Sequence, residues 1–215
     1  MNKLRYNHTY RRHLPHIQPP GATLFVTFRL AGSLPAHVRH MLRRTYEDRL
    51  AAVQNQSTLG SLLRQQAEYR EQKRFFANVD QYLDNTTDGP HWLKQIAIAQ
   101  VVVDSLHYRH QRVYDLDSFC IMSNHVHVMF SPLQKGDGEY HSLSSIMHSL
   151  KLFTANQANN LLQRRGKFWQ EESYDHVVRD EAELVRIREY ILQNPVRAGL
   201  VSEWDEWEWT FARYL

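Results

Sequence analysis

The sequence predicts an α+β protein: a ferredoxin-like antiparallel sheet covered by helices, with a helical insertion. Three observations carry that reading. Runs of β-branched and aromatic residues alternate with runs of helical apolar spacing, in the order strand, helices, two strands, helix, strand, helix. The two middle strands are separated only by Ser123-Asn124, so they pair antiparallel. Between 37 and 85 the texture turns charged and Gln-rich, which marks an inserted helical arm. With 215 residues, the chain is read as one domain, residues 1–215.

Residues 1–21 hold Lys3, Arg5, Arg11, Arg12 and the breaker Pro19-Pro20-Gly21, and read as a basic N-terminal arm. The run 22–30 is the first strand, ended by Gly32 and Pro35. Gly60 divides the insertion into two helices, and 85–90 closes it with turn residues. Leu93, Ile96, Val101, Val102 and Leu106 define a helix over 92–108. Strands follow at 113–122 and 124–132, a long helix at 142–162, and a loop and strand at 167–178. Asp180 is the N-cap of the last helix, with Glu183 completing a capping box, and Pro195 stops it. Leu184, Ile187 and Ile191 form that helix's buried stripe, with Tyr190 and Asn194 at its edge.

Composition narrows the function classes. Hydrophobic residues make up 42% and aromatics 12%, which fits a globular core and argues against wholesale disorder. The net charge is +3, but 26 Lys+Arg and a pI of about 9.0 leave room for a basic face that meets nucleic acid. A single cysteine, Cys120, excludes an internal disulfide and sits as a small apolar residue in a strand. No apolar run reaches membrane-spanning length and no signal peptide opens the chain, so a cytoplasmic protein is expected.

Chemistry concentrates in two places. In Asn124-His125-Val126-His127-Val128, alternation along a strand puts His125 and His127 on one face and Val126 and Val128 on the other. Two adjacent imidazoles are half of a metal site; the plain alternative is a pair of histidines on a solvated sheet face. In the last helix Tyr190 and Asn194 are four apart and share a face, with a packing tyrosine as the alternative for Tyr190. A metal that grips a phosphate and a tyrosine that attacks it are what breaking and rejoining a DNA strand requires.

These segments resemble the REP-associated tyrosine transposases, within the single-strand transposases named for the His-hydrophobic-His motif. The resemblance runs through Pro20-Gly21-Ala22-Thr23, Ile121-Met122-Ser123-Asn124-His125-Val126-His127, Phe168-Trp169-Gln170, Tyr174 to Asp180, and Tyr190 to Leu200. Ser123 departs from it, standing where relatives carry proline, and the 37–85 segment is longer than in compact relatives. The resemblance implies that His125 and His127 bind a divalent cation, Mg²⁺ or Mn²⁺, with Asn194 as third ligand and Tyr190 as nucleophile. It implies a substrate of single-stranded DNA beside a palindromic hairpin, acted on by a monomer or homodimer. Candidate DNA contacts are Arg11, Arg12, His13, Arg164, Arg165, Lys167 and Arg197, each also readable as a solvated surface charge.

The expected activity is therefore a metal-dependent single-strand endonuclease and strand transferase acting through a 5′-phosphotyrosine. The sequence does not show which group takes the tyrosine proton; a hydroxide on the ion and His176 are both candidates. Two other readings stay open. One is a metal-dependent hydrolase with water as nucleophile; the other is a non-catalytic nucleic-acid-binding module of the same fold.

Overall fold

The computed structural model describes residues 10–11, 15–16, 19–56 and 60–213. They divide between two compact units, one built from residues up to Ala31 together with those from His91 onward, the other Gly32–Pro90.

In the first unit, β1 (Tyr10–Arg11) pairs antiparallel with β2 (Pro15–His16), so the arm contains a two-stranded ribbon that the sequence did not suggest. A turn at Pro19–Ala22 then leads into β3 (Leu24–Arg29), with Gly21 at φ 73°, and a Cβ there would press to 2.6 Å from the Tyr140 ring. Helix α3 (Ile96–Arg109) is shorter than expected, because Trp92–Lys94 forms a separate 3-10 turn and Gln95 is extended. Strands β4 (Tyr114–Ile121) and β5 (His125–Pro132) follow, then α4 (Leu143–Leu161) capped by Ser142, and β6 (Tyr174–Val177).

These elements run β3, α3, β4, β5, α4, β6, with spatial strand order β6-β3-β5-β4, which is the ferredoxin-like arrangement. A fifth strand not anticipated from the sequence, β7 (Thr210–Ala212), pairs with β4 and extends the sheet. Its Thr, Phe and Ala form too short a run to stand out as a strand. All neighbouring strands in the sheet are antiparallel.

Alternation divides the sheet into two faces. Val26, Phe28, Leu116, Phe119, Val126, Val128 and Phe130 pack under α3 and α4, against Ile98, Val102, Leu106, Ile146 and Leu150. The opposite face carries Phe25, Thr27, Ser118, Cys120, His125, His127 and Met129, and it too is buried. It is covered by α5 (Glu181–Leu192) and by the single turn α6 (Asn194–Arg197). Cys120 is fully buried, as its apolar neighbours indicated.

Three details at α5 differ from the sequence reading. The Asp180 carboxylate accepts from the Glu183 N–H at 2.7 Å, but Glu183 answers to the Arg179 N–H, one residue earlier than a capping box requires. Pro195 does not simply stop the helix. The chain turns at Gln193, and Pro195, needing no N–H donor in a first turn, helps start α6. Leu184 and Ile187 are only half-buried, whereas Glu183, Ile191 and Leu192 are buried, as are Asn194 and Pro195 of α6.

In the second unit, α1 (Ala36–Gln54) and α2 (Ser61–Asn85) form a helical hairpin split at Gly60, as expected. Tyr46 and Phe75 pack ring to ring at 5.0 Å, and Arg74 pairs with Glu71 at 3.0 Å. The ends of this insertion meet closely: a Cβ on Gly89 would lie 2.6 Å from the Gly32 carbonyl oxygen, and Gly89 has φ 79°. No helix among the described residues is long and apolar enough to cross a membrane.

Candidate functional site

Strand β5 projects His125 and His127 from one face, and neither is solvated: both are 0% exposed. Each ring is fixed from behind. The His125 Nδ1 lies 2.7 Å from the Asn124 Oδ1, an oxygen that can only accept, so Nδ1 carries the proton. The His127 Nδ1 lies 2.7 Å from the hydroxyl of Thr27, which the β3–β5 register sets directly opposite. With both Nδ1 atoms engaged, the two Nε2 atoms face each other at 3.0 Å.

Asn194, at the start of α6, reaches the same point. Its amide N–H donates to the His127 Nε2 at 3.1 Å, and the residue is fully buried. With the Asn194 N–H as donor, the His127 Nε2 turns its lone pair inward, so two lone pairs converge on one small volume. That arrangement is repulsive alone and favourable around a cation. His125 and His127 are thus a buried pair that could hold a metal. Turning the Asn194 amide about its Cβ–Cγ bond would present Oδ1 in place of Nδ2.

Tyr190 lies beside His127, half-buried, its ring 5.6 Å from that of His127 and nearly perpendicular to it. Phe25 completes the setting. It stacks on His127 at 5.8 Å and meets the Tyr190 ring edge-on at 6.0 Å. The Arg197 guanidinium sits 4.1 Å above the Tyr190 ring and donates to the Tyr190 carbonyl at 3.3 Å. His176 does not stand free as a base: its Nε2 is 3.2 Å from the buried carboxylate of Glu183.

The structure therefore brings together His125, His127, Asn194, Tyr190 and Arg197. Arg164, Arg165 and Lys167 lie on the loop after α4. Arg164 is engaged there, over the Trp92 ring at 4.0 Å and bonded to the Asn159 Oδ1 at 2.9 Å, whereas Arg165 and Lys167 are exposed. Arg11 belongs to β1, and Arg12 and His13 lie outside the described residues. Sequence reasoning assigned no role to Thr27 or Asn124. Asn124 could have been picked out by its adjacency to His125. Thr27 could not, because its partner is 100 residues away.

Residues 98–194 match the family described as Transposase IS200 like. Over that stretch the chain is similar to the IS200-like transposases. Within the class it is similar to REP-associated tyrosine transposases, as its motifs indicated. One such relative, from Haemophilus influenzae, is 22% identical over 102 residues, which are 45% of this chain and 58% of the relative. A solved structure of a REP-associated tyrosine transposase bound to a REP hairpin is 16% identical, with TM-score 0.47, over 95% of this chain and 82% of the other.

Proposed function

We propose that the protein is a metal-dependent single-stranded DNA endonuclease and strand transferase. It cleaves beside a hairpin through a covalent 5′-phosphotyrosine on Tyr190. The observation that carries the reading is the convergence of the two buried His Nε2 atoms at 3.0 Å, with the Tyr190 ring 5.6 Å from the ring of His127. A packing tyrosine would not need a pre-oriented cation site at its foot.

The donor set fits a divalent ion. His125 and His127 would hold it through Nε2, with Asn194 as third ligand through its amide oxygen. These three donors are neutral and add no negative charge of their own. Mn²⁺ tolerates imidazole better than Mg²⁺, and Mg²⁺ is the more abundant. When bound, the ion supplies Lewis acidity at a non-bridging phosphate oxygen.

The chain's own residues do the rest. Phe25 and Arg197 hold the Tyr190 ring from its edge and its face. The phenol oxygen attacks phosphorus, the P–O3′ bond breaks, the phenolic proton is lost and the departing oxygen is protonated to a 3′-OH. The new ester conserves the energy of the phosphodiester, so another 3′-OH can reverse the step. The exposed Arg165, Lys167 and Arg197, with Arg11, Arg12 and His13 of the arm, are the proposed phosphate contacts. Arg164, already committed to Asn159 and Trp92, shapes the loop that presents its neighbours.

The test is a labelled hairpin with a single-stranded flank, incubated with protein and Mn²⁺ and resolved under denaturing conditions. A protein–DNA adduct is expected, lost in Tyr190→Phe and in either His125→Ala or His127→Ala. Cleaved DNA without an adduct, unaffected by Tyr190→Phe, would establish the hydrolase instead. Binding with no cleavage would establish the non-catalytic module.

A further inference from the structure

Strand β4 carries one residue too many. Leu116 pairs with Phe130 and Ser118 with Met129, so Asp117 is the extra residue of a β-bulge. The bulge is tied down at its backbone, where the Asp117 carbonyl accepts from the Arg213 N–H at 2.9 Å, just past β7. Its side chain points to α5. The Asp117 carboxylate accepts from the Arg188 Nε at 2.9 Å and from Nη2 at 2.5 Å, a two-pronged pair that is mostly buried. Such forks fix orientation as well as distance.

Arg188 precedes Tyr190 by two residues, about 200° around the helix, so the two lie on opposite flanks of α5. The N-terminal end of the helix is held separately, by the Asp180 cap and the Glu183–His176 contact. Roll of α5 near its C-terminal end would carry the phenol sideways. A side chain about 5–6 Å from the axis moves about 1 Å for a roll of about 10°. Misplacement on that scale costs on the order of 100-fold in rate.

We propose that Arg188 is a positioning residue for Tyr190. By gripping the carboxylate of the Asp117 bulge, it sets the roll of α5 and keeps the phenol beside His127. The proposal rests on Tyr190 as nucleophile for its kinetic consequence, but not for its structural one.

Two variants test it. Arg188→Lys keeps the charge and loses the fork; Asp117→Asn keeps the shape and loses the charge. Each is assayed below its own melting temperature for the single-turnover adduct rate at saturating hairpin DNA with Mn²⁺, and for hairpin Kd. In parallel, 3-fluorotyrosine is placed at position 190 alone and its fluorine NMR signal recorded without DNA. The expected result is an adduct rate reduced about 10- to 100-fold, hairpin Kd within about twofold of the parent, and a shifted or split fluorine signal. An adduct rate within about twofold of the parent, or an unchanged fluorine signal, overturns the proposal. So does a rate loss matched by an equal loss of hairpin affinity, which would make Arg188 a DNA contact. If the parent itself forms no adduct, the proposed activity falls, while the fluorine signal alone still decides whether Arg188 positions Tyr190.

Discussion

Replacing Thr27 by Val changes one hydroxyl to a methyl on β3 and leaves the strand's packing nearly intact. The lost oxygen lies 2.7 Å from the His127 Nδ1, and the two residues are 6% and 0% exposed. The imidazole N–H would then be buried without its acceptor, at about 1–3 kcal/mol. For a chain of this size that lowers the melting temperature by roughly 2–4 °C per kcal/mol. The ring can relieve the cost by moving its proton to Nε2, but that points a proton into the space between the two imidazoles and removes a lone pair from the cation site. Loss of such a supporting hydrogen bond typically weakens metal binding 10- to 100-fold, or about 1.4–2.8 kcal/mol. Calorimetric titration with Mn²⁺ reads the affinity directly, and scanning calorimetry in chelator reads the stability. Thr27→Ser, which keeps the hydroxyl, should restore both. An Mn²⁺ affinity for Thr27→Val within about twofold of the parent would refute the argument that Thr27 sets the state of His127.

Asn194→Asp and Asn194→Ala separate a ligand from a helix-start residue. As a ligand, Asn194 predicts Mn²⁺ affinity kept or raised by Asp and weakened by Ala, with Asp unstable in chelator and rescued by Mn²⁺, because its carboxylate would be fully buried. Equal affinities in all three proteins remove it from the site. Arg109 is 8% exposed and donates to the backbone and hydroxyl oxygens of Ser105 and Ser149, tying α3 to α4, while burial pulls its pKa down. Arg109→Ala should cost about 2–3 kcal/mol in chemical denaturation and Arg109→Met less than half of that, since Met keeps the packed stem without a charge to desolvate. His107 is exposed, but its ring packs on Phe119 and Phe211, and the desolvation this contact brings, then His110, lowers its pKa, against an opposing effect of Asp104. The unfolded chain thus takes the proton more readily, so the contribution of His107 to stability is complete above pH ~6.5 and is lost as pH falls from there toward its folded pKa. The melting temperature should fall from pH 7 to pH 5, less steeply in His107→Phe; identical slopes would contradict this.

Much of the site was legible because its chemistry is written in short-range periods. The two-residue period of a strand places His125 and His127 together whatever surrounds them. The Asp180 cap, the break at Gly60 and the shared face of Tyr190 and Asn194 are likewise local, set by backbone sterics within a few residues. The fate of Asn194 was less legible. A position at the edge of the α5 stripe became fully buried, because the turn at Gln193 redirects the chain into α6 and swings the amide onto His127.

What the sequence determines on its own is which groups are available and which share a face: two imidazoles, a phenol and an amide, on one strand and one helix. Only the tertiary structure decides that those faces meet. The β3–β5 register puts Thr27 behind His127. The bulge in β4 aims Asp117 at Arg188, 71 residues further on. The addition of β7 widens the sheet beside β4 and anchors that bulge. These pairings are settled by burial and hydrogen bonding between segments far apart in the chain, where no local period operates. A one-residue slip in register would turn His125 and His127 to the apolar face, against α3 and α4.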